Sequence, residues 1–267
     1  MTVDSLLMRL VSQDACLVTV RATRGSVPRE IGAWMAVFEH DTLGSVGGGH
    51  LEFQAIAQAR LRLSGGTGDP LLRYTLGPTL GQCCGGEVAL AFERVGAADI
   101  GALRQRLAPL RTPLALFGAG HVGQALVSVL ARLPLQLCWV DSREAVFPAD
   151  LPAHVVAEHS DPVQAAVPGL APLSRVLIMS FSHAEDLELV AACLKRQRQL
   201  ADLPYIGLIG SKTKWASFSQ RLLARGYTAQ ELAHVTCPIG VAGISAKAPE
   251  VIAVAVAAQI LQTLTQD

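Results

Sequence analysis

The sequence lacks an excess of charge of either sign. Its 22 Lys and Arg balance 22 Asp and Glu over 267 residues, which removes the electrostatic case for binding nucleic acid or an anionic membrane. It also lacks a hydrophobic run long enough for a bilayer. The longest, Val251 to Leu261, follows Lys247 and Glu250, falls well short of the ~20 residues a span requires, and reads as a buried helix. No secretory leader is legible, because Asp4 stands where a basic region belongs and no small-residue cleavage site follows a long apolar core; a cytoplasmic location is expected. Cysteines number only six, irregularly spaced and without a CxxC pair, which excludes a secreted disulfide framework and a structural zinc site. There is no internal repeat or low-complexity tract.

Apolar residues, by contrast, are plentiful. At 51% of the chain, with a mean hydropathy of +0.37, they exclude dominant disorder and fill one large or two modest cores. In the first 110 residues a helix is expected over Val3 to Val11, strands over Cys16 to Val20 and Ala33 to Phe38, and a helix over His50 to Leu63. Two further strands follow, at Leu71 to Leu76 and Glu87 to Phe92. Ala97 to Leu110 reads as a helix or linker. From Pro113 the pattern changes to uniformly apolar strands alternating with amphipathic helices, the mark of a parallel sheet covered on both faces. The expectation is an α/β protein: a mixed α/β domain over residues 1–110, then a Rossmann-like parallel-sheet domain over 111–267.

The second half opens with Gly118-Ala-Gly120-His-Val-Gly123 between a strand and a helix, and Asp141 ends the next strand. This is the dinucleotide-binding fingerprint in its proper setting. Gly118 permits the tight turn, Gly120 lets backbone amides approach a phosphate, Gly123 allows close helix packing, and Asp141 is suited to ribose hydroxyls. The same glycines would also serve packing with no nucleotide bound, since a fold does not fix a function. Hydride transfer further needs a proton-exchanging residue, and His183, Lys212 and Lys247 form no convincing set. An NAD(P)-dependent oxidoreductase is therefore the second reading, and a structural adaptor whose glycine loops only pack is the third.

Two glycine-rich loops mark the first half. Gly44-Ser-Val-Gly47-Gly48-Gly49 leads into the helix starting at His50, an anion-friendly corner. Gly77 to Gly86 carries Cys83 and Cys84 with glycines on both sides, where the amides of Gly81, Gly85 and Gly86 would stabilise a thiolate, a nucleophile and soft metal ligand. Adjacent cysteines seldom bond to each other, so one thiol is expected to face outward and the other to pack. Cys16, Cys138 and Cys193 fall within expected elements and read as core. Cys237 is a weaker candidate.

Together GSVGGGHLE (44–52), LGQCCGGEV (80–88), FGAGHVG (117–123), YIGLIGSKTK (205–214) and CPIGVAGISAKAPEVIA (237–253) resemble the XdhC/CoxI family over nearly the whole chain. The resemblance implies a molybdenum-cofactor chaperone. Such a protein binds molybdopterin, protects it while a cysteine desulfurase supplies its sulfido ligand, and delivers it to apo xanthine dehydrogenase; a homodimer is usual. By position the family's cysteine before a Gly-Gly pair matches Cys84 ahead of Cys83, making Cys84 the first candidate for contacting the cofactor and its metal. Gly85, Gly86, Gly47, Gly48 and Gly49 are implied as site-forming, together with the Rossmann turn (Gly118, Gly120, His121, Gly123, with Asp141). A nucleotide is the other candidate ligand for that turn. One departure is visible: Pro249-Glu250 is followed by Val251 where the family often has a second acid.

Overall fold

The computed structural model describes residues 3–77 and 85–264, which form two compact units, Met1–Ala108 and Pro109–Asp267. In the first, helix α1 (Val3–Leu10) precedes strands β1 (Ala15–Arg24), β2 (Trp34–Val37) and β3 (Thr42–Gly44). Helix α2 (Gly49–Leu63), strands β4 (Leu71–Thr75) and β5 (Glu87–Val95) and helix α3 (Ile100–Arg106) follow. The antiparallel sheet runs β3-β2-β1-β5-β4. Because side chains alternate along a strand, Cys16, Val18 and Val20 of the central strand join Leu51, Ala55 and Ala59 of α2 in one core. Ala15 and Leu17 join Leu6, Leu7, Leu10 and Leu103 on the opposite face. Strand β5 extends past Phe92 because its register against β1 carries on to the pair Ala15 and Val95.

The second unit contains β6 (Thr112–Phe117), α4 (His121–Leu130), β7 (Leu135–Asp141), β8 (Val155–His159) and β9 (Arg175–Ile178). It continues through α5 (His183–Leu200), β10 (Tyr205–Leu208), α6 (Lys212–Ala224), α7 (Ala229–Leu232), β11 (Val235–Thr236) and α8 (Pro249–Leu264), with a 3-10 segment at Val163–Gly169. Its parallel sheet runs β11-β10-β9-β6-β7-β8. The chain winds outward from β6 in both directions, so β6 and β9 flank the point where the strand order reverses. In β6 both faces are buried: Leu114 and Leu116 pack with Leu126 and Leu130 of α4 and Ile260 of α8, while Ala115 and Phe117 pack with Leu187 and Val190 of α5. That double cover is why β6 reads as an apolar run.

Helix α8, expected as a buried helix, is buried along one side. Ala253, Val256, Ala257 and Ile260 are buried, but Val254 is 55% exposed, because α8 covers only one face of the sheet. Cys16 and Cys193 are buried as expected, whereas Cys138 is only partly so; its thiol lies 3.7 Å from Glu158 Oε2.

Candidate functional site

The carboxyl ends of β6, β7 and β9 are where ligands sit in open α/β sheets, outside the strand ends at the reversal of strand order. Here the β6–α4 turn is held by backbone and ring. The Gly118 N–H donates to the Val140 carbonyl at 2.8 Å, and Trp139 Nε1–H donates to the Gly118 carbonyl at 3.0 Å. Gly118 has φ 118°, and a Cβ there would fall inside 3.0 Å of the Met179 carbonyl oxygen. A Cβ on Gly123 would meet the Gly118 carbonyl inside the same limit. Gly120 differs: its φ is −72°, and a Cβ would meet nothing within 4 Å. The fold demands the first and third glycines and leaves open space at the second. His121 opens α4 and lines a groove of about 400 Å³ with Gln124, Ser128 and Glu250.

Asp141 is buried and committed to its own loop. Its Oδ2 accepts from the Ala119 N–H at 2.6 Å and from Arg143 Nη2 at 2.9 Å. Its Oδ1 accepts from the Arg143 N–H and Nε, each at 2.9 Å. Burial pushes this carboxyl up, but the Arg143 and backbone hydrogen bonds outweigh it and hold the pKa below its ordinary value. A ribose hydroxyl would have to displace Arg143 to reach it. Signals for this existed at Arg143, two residues on, but the fingerprint alone does not read them.

Two side-chain networks outside the candidate site residues complete the edge. Lys214 of α6 donates to Asp186 Oδ2 at 2.6 Å and to the Ile209 carbonyl at 2.9 Å. Asp186 Oδ1 in turn accepts from the Ser180 N–H and hydroxyl, so one ion pair fixes the loops after β9 and β10. Glu185 links the ends of β7 and β9, accepting from the Ser142 hydroxyl at 2.6 Å and the Phe181 N–H at 3.0 Å. His183 starts α5, edge-on to Phe218. Cys237 lies partly buried, 3.9 Å from the Ser211 carbonyl; burial raises its pKa, with nearby Lys214 opposing.

In the first unit the glycine corner before α2 already holds an anion. Glu52 Oε2 accepts from the Ser45 hydroxyl at 2.6 Å, the Gly48 N–H at 3.0 Å and the Val46 N–H at 3.2 Å. The Gly47 N–H goes to Ser45 Oγ at 3.2 Å. An acid in the first helical turn thus fills the anion-friendly corner at Gly47, Gly48 and Gly49, as acids commonly do at helix N-termini. Gly86 is a close-approach glycine, since a Cβ would meet the Arg24 and Ser26 carbonyls, while Gly85 is exposed. A larger cavity of about 1060 Å³ is lined by Arg9, Arg60, Arg94, Asp14 and Asp41. It touches none of the motif residues, and Arg9 and Arg94 are paired with Asp41 and Asp14.

Residues 114–260 match the XdhC Rossmann domain, and residues 11–75 match the XdhC and CoxI family. The chain belongs to the XdhC/CoxI family. This member is 25% identical over 248 residues to the uncharacterized protein YqeB of Escherichia coli (strain K12), a stretch covering 90% of this chain and 42% of that protein. It therefore spans less than half of that relative's length. A crystal structure of a xanthine dehydrogenase from Bacillus halodurans shares its fold, with a TM-score of 0.78 at 20% identity, covering 100% of this chain and 96% of that one. The cysteine candidates of this XdhC/CoxI chain, Cys83 and Cys84, lie outside the described residues. Among the described residues there is no group of three or more His, Cys, Asp or Glu placed to hold a metal ion. No helix among them is long and apolar enough to cross a membrane.

Proposed function

We propose that this chain is an XdhC-type accessory protein. In this reading it binds the molybdenum cofactor, shelters it while a cysteine desulfurase provides sulfur, and delivers it to apo xanthine dehydrogenase, acting as a homodimer in the cytoplasm. Family membership across both units is the observation that carries the reading. The bound group would bring a phosphate, a planar pterin and a soft metal, and the residues present suit it. Open space at Gly120, beside the start of α4, suits an approaching phosphate. The Cys84 thiol, outside the described residues, would supply the soft donor that a soft metal or relayed sulfur needs. Molybdopterin supplies redox chemistry to the client enzyme, and the role of this chain is to hold it and keep it from water.

The test is to produce the protein together with cofactor biosynthesis, then measure molybdenum and oxidised, fluorescent pterin on the purified chain. Both should co-purify in comparable amounts. Cys84→Ser should lower retention strongly and Cys83→Ser less. Absence of both molybdenum and pterin refutes the reading, as does steady NAD(P)H oxidation that Gly120→Val abolishes.

A further inference from the structure

At the carboxyl edge of the parallel sheet the carboxylate expected to receive a ligand is full. Asp141 takes four donors, two on each oxygen, which exhausts the roughly four lone-pair sites of a carboxylate. Glu185, on the same edge, is only half used. Its Oε1 receives the Ser142 hydroxyl and its Oε2 the Phe181 N–H, so each oxygen keeps an acceptor position. Those two bonds hold the carboxylate between the ends of β7 and β9, on either side of β6 and its Gly118 to Gly120 turn. Beside it Phe181 is 66% exposed, with the Arg143 guanidinium 4.7 Å from its ring centre. Lys214 and Asp186 on this edge neutralise each other and Arg143 is taken by Asp141, so the charge left over beside Phe181 is the Glu185 carboxylate, which favours a ligand's N–H donors at that point.

The geometry points to a receptor for a 2-amino-4-oxopyrimidine ring, formed by Glu185 and Phe181. That ring presents an N–H and an exocyclic NH2 side by side, which match the two free acceptor positions of one carboxylate, while its flat face stacks on the phenyl ring. Pterin and guanine share this edge. Adenine does not, because a ring nitrogen acceptor stands next to its amino group. The pterin source rests on the reading of the chain as a molybdopterin-binding protein; the edge chemistry itself does not.

The full-length protein is titrated with biopterin, followed by its fluorescence, with guanosine and adenosine as competitors. Biopterin should bind and be displaced by guanosine but not by adenosine, and whichever of biopterin and guanosine binds more tightly identifies the source. Glu185→Gln puts a donor against the ring's donors, and Phe181→Ala removes the stacking face; each should weaken binding about 10-fold or more. Phe181 is exposed, so Phe181→Ala should keep the wild-type melting temperature, and Glu185→Gln retains one acceptor for its internal partners. Absence of biopterin binding, displacement by adenosine as effective as by guanosine, or unchanged affinity in both variants overturns the proposal. Molybdopterin retention is measured in parallel. Equal retention by wild type and both variants removes this site and leaves the accessory role standing. No retention by wild type, with guanosine still bound through Glu185 and Phe181, removes that role and leaves the ring site.

Discussion

Substituting alanine in turn at Gly118, Gly120 and Gly123 separates what the fold requires from what a ligand requires. At Gly118 the added methyl is penalised twice. The residue sits at φ 118°, a region that costs a non-glycine residue about 1–2 kcal/mol, and the new Cβ overlaps the Met179 carbonyl, an overpacking cost of about 1–3 kcal/mol. A total near 3 kcal/mol corresponds to a fall of about 6–12 °C in melting temperature for a domain of this size. Gly123→Ala overlaps the Gly118 carbonyl but gains about 1 kcal/mol of helix propensity inside α4, so a smaller loss of about 1–2 kcal/mol is expected. Gly120→Ala meets no atom and no forbidden φ, and its stability should stay within about 0.5 kcal/mol of wild type. Thermal unfolding followed by far-UV circular dichroism should rank the losses as Gly118, then Gly123, then Gly120. If Gly120→Ala melts as low as Gly118→Ala, the space at Gly120 is filled and the reasoning fails. Because the methyl at Gly120 occupies only ligand space, that variant should lose phosphate-bearing ligands while keeping its fold.

Lys214 is 12% and Asp186 3% exposed, so Lys214→Met strands a buried carboxylate and should cost about 3 kcal/mol or more in urea unfolding; adding Asp186→Leu should recover part of that loss. The Asp141 carboxyl is held below its ordinary 3.8, so its contribution is present above that pH and disappears as pH falls through the lower folded value. Asp141→Asn should therefore be less stable than wild type at pH 5, and the difference should shrink as pH is lowered below 3.8, which melting curves over an acid pH series would check. Burial raises the thiols of Cys16 and Cys193 to about 11 and about 12; neither should react with iodoacetamide at pH 7.5 until urea unfolds the chain, as mass spectrometry of the labelled peptides would report.

The fold was legible where periodic signals were long. Strand β6 and helix α4 follow from an apolar run and a glycine turn, and β1 from a short β-branched and apolar run. Strands of three residues or fewer carried too little pattern: β3 over Thr42–Gly44 and β11 over Val235–Thr236 are set by pairing with β2 and β10 rather than by their own sequence. Helix α7 left a signal that was not used, since the Thr228 hydroxyl caps the Glu231 N–H while the Glu231 carboxylate returns to the Thr228 N–H, a capping box readable as Thr-x-x-Glu.

The site was legible in its glycines and obscure in its carboxylates, and the difference is physical. A glycine's role is local: Gly118 and Gly123 are fixed by the turn they form, so a motif finds them. A carboxylate's role depends on which donors the fold brings to it, often from distant sequence. Asp141 reads as a ribose ligand by position but is consumed by Arg143 and Ala119. Glu52 reads as an ordinary helix-start acid but fills the glycine corner. Glu185 carries no motif signal, yet Ser142, 43 residues away, and Phe181 orient it at the sheet edge with acceptor positions to spare. Counting donors at each oxygen, rather than matching acids to a spacing, is what identifies the carboxylate still able to bind.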